Sequence, residues 1–260
     1  MAKQTAKIES ASADAAAKSL ASRKLLAEQL QRSFAPLSAE ERLRRAIGGD
    51  APGPIALVSS FGAESVVLLH MVAQIDRALP VLFLETHMLF PETIAYQKQL
   101  IERLGLSGLR VIRPDRAELA AEDPIDELHL SDVDACCDLR KTRPLERALS
   151  EFGSSISGRK RFQASTRADM PFVETDGPDR LKINPLADWT AEDLSVYRRK
   201  ANLPPHPLVA QGYPSIGCAP CTSKVAESED ARAGRWRGSD KTECGIHIVN
   251  GRIVRGGASS

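Results

Sequence analysis

Three short apolar runs, each bounded by proline or glycine and separated by stretches of helical pattern, restrict this chain more than any other feature. Ile55-Ala-Leu-Val-Ser-Ser60 lies between Pro54 and the Phe61–Gly62 turn, Val81-Leu-Phe-Leu84 follows Pro80, and Leu109–Ile112 follows Gly108. The first two read as buried strands, and Leu109–Ile112, with Arg110 inside it, is a third strand candidate. The pattern turns helical from about Glu64 to Arg77 and from Pro91 to Leu104. Further helices are expected at Ala21–Ser33, from Ser38 (with Glu41 completing a capping box) to Gly48–Gly49, over Pro144–Phe152, and from Thr190 to Ala201. Further strands are expected at Phe162–Thr166 and Leu181–Ile183. The alternation predicts an α/β fold: a single domain with a mostly parallel sheet flanked by helices. Right-handed crossovers then place the loops after the strands along one edge, where ligands of such sheets bind.

A chain of 260 residues can bury one sizeable core with a small appendage. Its net charge of +1 gives no reason to expect nucleic acid or a membrane surface as partner, and no apolar stretch reaches membrane-spanning length. Residues 1–20, rich in Ala, Ser and Lys with Glu9 and Asp14 among them, read as a disordered leader instead of a signal or transit peptide, giving a cytoplasmic location by default. The α/β domain is expected over 21–215. From Pro204 the periodicity fades into Pro, Gly and Arg, so 216–260 reads as a C-terminal extension. The sequence leaves a homo-oligomer open.

Charge is uneven along the chain. Between Cys136 and Arg167 stand eight basic residues and three acidic ones, and Lys224, Arg232, Arg235, Arg237 and Lys241 form a second basic group. Such patches suit a small anionic ligand, although a charge run also serves as a solvated face. Ser59-Ser-Phe-Gly-Ala-Glu-Ser65 joins a strand to a helix, so free backbone N–H groups and hydroxyls there would face a ligand above the sheet edge. It lacks the Gly-Lys-Ser/Thr of a Walker loop and looks like a modified Ser-Gly-Gly-x-Asp-Ser loop of nucleotide-binding pyrophosphatase-type folds. An ordinary strand–helix turn reads the same way.

Five cysteines without a secretion signal point to metal or redox chemistry rather than a disulfide framework. Cys136-Cys137 is answered much later by Cys218-Ala-Pro-Cys221. Adjacent cysteines diverge in a helix or a strand, which suits a cubane iron–sulfur cluster with separate iron corners better than one tetrahedral zinc. Zinc, or a redox disulfide at Cys218–Cys221, remains open on spacing alone. Lys141, one helical turn past Cys137, either balances thiolate charge and reaches an anion or lies in solvent. Cys244 stands apart among charged neighbours, where nearby cations would favour a reactive thiolate; it is otherwise an inert exposed thiol. His247 could touch substrate or tune that thiol, whereas His70 and His206 read as structural.

Together these stretches resemble the assimilatory adenylyl-sulfate reductases, in the family shared with 3′-phosphoadenylyl-sulfate reductases. The resemblance is carried by Ser60-Phe-Gly-Ala-Glu64, Leu89-Phe-Pro-Glu-Thr93, Cys136-Cys-x-x-Arg-Lys-x-x-Pro-Leu145, Asn184-Pro-Leu-Ala-Asp-Trp189, Gly212-Tyr-Pro-Ser-Ile-Gly-Cys-x-Pro-Cys221, Arg232-Ala-Gly-Arg-Trp236 and Glu243-Cys-Gly-Ile-His247. It implies an adenine-nucleotide alpha-hydrolase-like fold and a thioredoxin- or glutaredoxin-dependent oxidoreductase that turns adenylyl sulfate into sulfite and AMP. Cys244 would be the nucleophile, passing through a thiosulfonate. Cys136, Cys137, Cys218 and Cys221 would hold a 4Fe-4S cluster, and Ser60, Gly62, Lys141, Arg161, Arg232, Arg235 and His247 would bind substrate. The two cysteine pairs favour adenylyl sulfate over its 3′-phosphorylated form, with dual specificity left open. One departure is Leu84-Glu-Thr-His-Met88, where the family has Leu-Asp-Thr-Gly-Arg. A zinc-stabilised nucleotide-binding protein without this chemistry is the more remote alternative.

Overall fold

A computed structural model describes residues 2–238, 241, 248–249 and 252–253; for 2–16, 248–249 and 252–253 it describes the backbone alone. The apolar runs form strands as expected: β1 (Ile55–Ser59), β2 (Val81–Leu84) and β3 (Leu109–Ile112), joined by β4 (Ser154–Ser157), β5 (Val173–Asp176) and β6 (Arg180–Ile183). They form one sheet in the order β3-β2-β1-β4-β6-β5, parallel throughout except for the β5–β6 hairpin. The strand order reverses between β1 and β4. That reversal opens a crevice at the carboxyl ends of these two strands.

The helices in chain order are α1 (Ala2–Phe34), α2 (Ala39–Arg45), α3 (Ser65–Ala73), α4 (Pro91–Leu104), α5 (Arg116–Glu122), α6 (Leu128–Ser131), α7 (Val133–Cys137), α8 (Arg143–Leu149) and α9 (Ala191–Lys200). Successive residues of a strand serve opposite faces. Leu57 joins the larger core with α1, α2, α3 and α4, while Ala56 joins a smaller one with Leu145, Leu149 and Phe152 beneath α8. Ser38 and Thr190 cap α2 and α9 with reciprocal side-chain bonds to Glu41 and Asp193, as the sequence predicts for both.

Three expectations change. Residues 2–20, read as a disordered leader, continue α1 as helix, in keeping with the strong helix propensity of their Ala and Lys. Phe162–Thr166, read as a strand, instead forms 3₁₀ turns at Arg161–Gln163 and Ser165–Arg167. The strand that pairs with β1 on the side away from β2 lies earlier, at β4, whose Ser-Ser-Ile-Ser carries no apolar signal. Its hydroxyls are absorbed locally: Ser154 Oγ donates to the Pro52 carbonyl at 2.9 Å and Ser157 Oγ to Asn184 Oδ1 at 2.5 Å. Gly153 is required at its start, since a Cβ there would stand 2.5 Å from the Pro52 oxygen.

Candidate active site

The loops following β1, β2 and β4 enclose a cavity of about 290 Å³ with residues 214–218 and 230–236. Its floor is the strand-to-helix turn. Phe61 takes a left-handed conformation (φ 50°), and its N–H donates to Ser59 Oγ at 3.2 Å. Helix α3 then begins without a side-chain cap; the Ser65 N–H donates to the Gly62 carbonyl at 3.1 Å, and the positive end of the helix dipole faces an incoming anion. Ser59, Ser60, Gly62 and Ser65 all line the cavity.

Six cations line the walls: Lys141, Arg159, Lys160, Arg167, Arg232 and Arg235. Glu64 faces them. Its carboxylate pairs with Lys160 Nζ at 2.6 Å and accepts from Gln163 Nε2 at 2.6 Å, while Gln163 Oε1 accepts from Arg167 at 2.6 Å. Burial pushes the Lys160 ammonium below its ordinary pKa, Glu64 opposes that shift, and the charges of Arg167 and Arg232 add to it. Arg159 is buried and held by Glu174 and by Asn184 Oδ1 at 3.2 Å. Arg235 leans its guanidinium over Trp236 (4.5 Å to the ring centroid) and against Gly217, where a Cβ would come within 2.2 Å of Nη2. Its buried Nε and the Trp236 Nε1 have no hydrogen-bond partner in the described structure.

The structure thus brings Ser60, Gly62, Lys141, Arg232 and Arg235 together around one cavity. Arg161 is the exception. Its Nε donates to the Met170 carbonyl at 2.9 Å and its guanidinium stacks 5.1 Å above Phe172, outside the cavity lining. Within the basic run that follows β4, its neighbours Arg159 and Lys160 line the wall instead, together with Arg167 and Glu64. The basic run signalled this region, but consecutive side chains leave the backbone in different directions, and sequence could not say which faced the ligand. Cys244 and His247 lie outside the described residues. His70 bonds the Tyr197 hydroxyl at 3.0 Å, and His206 is buried against Thr93 and Tyr96, matching their structural reading.

The two cysteine pairs converge beside this cavity. Cys136, Cys137 and Cys218 are buried and Cys221 is partly exposed. Burial pushes the Cys136 thiol up to about 11, the charges of Arg140 and Lys141 pull it down, and Cys218 and Cys221 lie near enough to push it further up. Among the described residues no three His, Cys, Asp or Glu close around a point as ligands of a single ion would. Four thiols on separate corners of a cubane stand farther apart than ligands of one ion, and an all-thiol, largely buried set flanked by cations fits such a cluster.

Local structure explains how the pairs are held. Asp132 caps α7 by accepting from the N–H groups of Asp134 and Ala135, so α7 ends in Cys136–Cys137. A π-helical turn, Asp138–Thr142, follows, and Arg140 within it is buried. Arg140 donates to buried Asp123 at 2.6 Å, to Asp126 at 2.5 Å and to the Thr86 carbonyl at 3.1 Å. Thr86 Oγ1 shares a hydrogen bond with Cys218 Sγ at 3.3 Å, and the Met88 carbonyl accepts the Ala219 N–H at 2.7 Å. The departing Glu85-Thr-His-Met88 segment therefore acts as a strut between the two pairs. His87, at φ 62° and exposed, stands off the cavity, and Glu85 pairs with Arg113.

The model of the phosphoadenosine phosphosulfate reductase domain matches residues 54–224. The chain belongs to that family. It is accordingly an oxidoreductase, and its fold is the family's. An adenosine 5′-phosphosulfate reductase from Mesorhizobium japonicum is 54% identical over 82% of this chain and 82% of its own length. A phosphoadenosine 5′-phosphosulfate reductase from Gloeobacter violaceus is 39% identical over 85% of this chain and 92% of its own. Among solved structures, a phosphoadenylyl-sulfate reductase from Candida auris in complex with phosphate superposes with a TM-score of 0.64 at 26% identity, covering 76% of this chain and 96% of that one.

Proposed function

We propose that this family member reduces adenylyl sulfate to sulfite and AMP, with Cys244 as nucleophile. The observation that carries the reading is the convergence of both cysteine pairs beside a cavity walled by six cations, in a chain 54% identical to a relative named for that substrate. The Cys244 thiolate attacks the sulfonate sulfur; an S–S bond forms as the S–O bond to phosphate breaks, and AMP leaves with the electron pair. A dithiol protein of the thioredoxin class then attacks the Cys244 sulfur and releases sulfite. Its second thiol closes a disulfide and frees Cys244.

The chain's own groups make the first step feasible. A thiolate approaching a phosphosulfate is an anion approaching an anion, and cations in a water-poor pocket must screen it. Lys141, Arg232 and Arg235 line the cavity for this purpose, and arginine forks can grip two oxygens of a tetrahedral anion. The uncapped start of α3 and the positive end of its dipole, with Ser60 and Gly62, suit the nucleotide phosphate. Cys136, Cys137, Cys218 and Cys221 would hold a 4Fe-4S cluster, which when bound supplies iron centres that keep these thiols deprotonated in a buried site. A cytoplasmic location agrees with thiol-based turnover, and no helix among the described residues is long and apolar enough to cross a membrane.

The Gloeobacter relative's name favours one second reading, turnover of the 3′-phosphorylated nucleotide. Sulfite release measured with both nucleotides separates the two. Faster turnover of adenylyl sulfate, abolished by Cys244→Ser while nucleotide binding persists, is the expected outcome. Preference for the 3′-phosphorylated substrate would reverse the assignment, and full activity in the variant would end the mechanism.

A further inference from the structure

Glu64 is out of place on the cavity wall. A carboxylate beside an anion opposes its binding, yet Glu64 lines the cavity with the six cations. It stands at the start of α3 without capping it, for no side-chain hydrogen bond closes that helix end. Its carboxylate turns instead to the segment after β4, where Lys160 Nζ lies 2.6 Å away and Gln163 Nε2 donates to it at 2.6 Å. Gln163 Oε1 in turn accepts from the Lys160 backbone N–H at 3.1 Å and from Arg167 Nη1 at 2.6 Å. One carboxylate thus ties the turn after β1 to the basic wall after β4. The other acid of the lining, Asp230, is spent on the backbone N–H of Arg232 at 2.8 Å.

Lys160 is the group that needs this partner. It is 2% exposed although it lines the cavity, and a buried ammonium gives up its proton readily unless a counter-charge holds it. Burial draws its pKa down, Glu64 opposes that, and Arg167 and Arg232 draw it down further. These charges reach it from three directions: Glu64 from the start of α3, Arg167 from the 3₁₀ turn Ser165–Arg167, and Arg232 from the 230–236 segment. Only Glu64 is negative. Removing its carboxylate would leave burial and two guanidinium groups acting in the same sense.

We propose that Glu64 is a positioning residue that holds Lys160 at the cavity as a further charged group for the nucleotide phosphate; this rests on the reading of the cavity as a nucleotide site. Calorimetric titration of anaerobically prepared holoenzyme with AMP tests it between about pH 7 and 9, above the second ionisation of a phosphate monoester. Glu64→Gln is expected to bind AMP more weakly, losing up to about tenfold per pH unit until Lys160 is neutral. Lys160→Arg in the same background, whose guanidinium keeps its charge, restores the affinity and levels the profile. Binding by Glu64→Gln that matches the parent throughout, or a loss that the arginine leaves in place, overturns the proposal. Should Glu64→Gln fail to fold, Lys160→Met in the otherwise unchanged enzyme decides: weakened AMP binding at neutral pH supports the charged role, and binding equal to the parent's removes it. No AMP binding by the parent itself would strike the reading of the cavity, and this inference with it.

Discussion

At the scale of single residues, Gly217 shows how a missing side chain can serve binding. A Cβ there would lie 2.2 Å from Nη2 and 2.5 Å from Cζ of Arg235, so a methyl group must displace the guanidinium. The atom in the way is the far end of a flexible side chain, and the fold itself can yield at little cost. Gly217→Ala is therefore expected to raise KM for the nucleotide about tenfold, the worth of one charge-assisted hydrogen bond, with Tm nearly unchanged. Steady-state kinetics beside a thermal melt check it; a large fall in Tm with KM intact would assign the glycine to folding. The same scale marks what sequence could not resolve. Arg159, Lys160 and Arg161 are consecutive, and only the path of the backbone after β4 decides that the first two face the cavity while the third grips Met170 and Phe172.

At the scale of elements, the stretch from α5 to α8 depends on a buried ion pair. Arg140 and Asp123 are 2% and 1% exposed, and Asp123 also accepts the Leu128 N–H at 2.9 Å. Asp123→Ala leaves a buried guanidinium with one partner the fewer and should cost about 3 kcal/mol, read from urea unfolding; a loss below 1 kcal/mol would mean that Asp126 alone suffices. Nothing in the sequence announces this pair, because its members are distant along the chain and belong to no repeating pattern. The strands tell the same story from the other side. β1 and β2 are legible as apolar runs because both their faces are covered, whereas β3, at the sheet edge with Arg110 exposed, and β6, with Lys182 paired to Asp176, show only partial apolar runs. β4 is not legible, because close approach to Pro52 and hydrogen-bonded serines replace apolar bulk there. Several residues of the cavity became legible through motifs; Gln163 in its wall, Glu174 behind Arg159 and Asp123 behind Arg140 did not.

At the scale of the whole molecule, His206 couples global stability to pH. It is wholly buried, its Nε2 within 3.1 Å of Thr93 Oγ1 and its Nδ1 accepting the Leu208 N–H at 3.2 Å. Burial holds its pKa down at about 4, against an ordinary value of 6.5, with Glu92 opposing weakly. The unfolded chain thus binds a proton that the folded chain refuses. This contribution to stability is complete above pH 6.5 and is lost as pH falls toward 4. Urea unfolding across that range should show a slope that flattens in His206→Gln; an identical slope in both proteins would place the titration elsewhere. The proposed chemistry divides the work between the described α/β body, which carries the cations and two cysteine pairs, and Cys244, the fifth thiol, which lies outside the described residues. Mass mapping of anaerobically prepared, iron-containing protein after one exposure to adenylyl sulfate without reductant tests that division most directly. A single sulfonate on the peptide containing Cys244, with iron and sulfide retained, is the expected result; the adduct on any other cysteine, or protein devoid of iron that still forms it, would contradict the account.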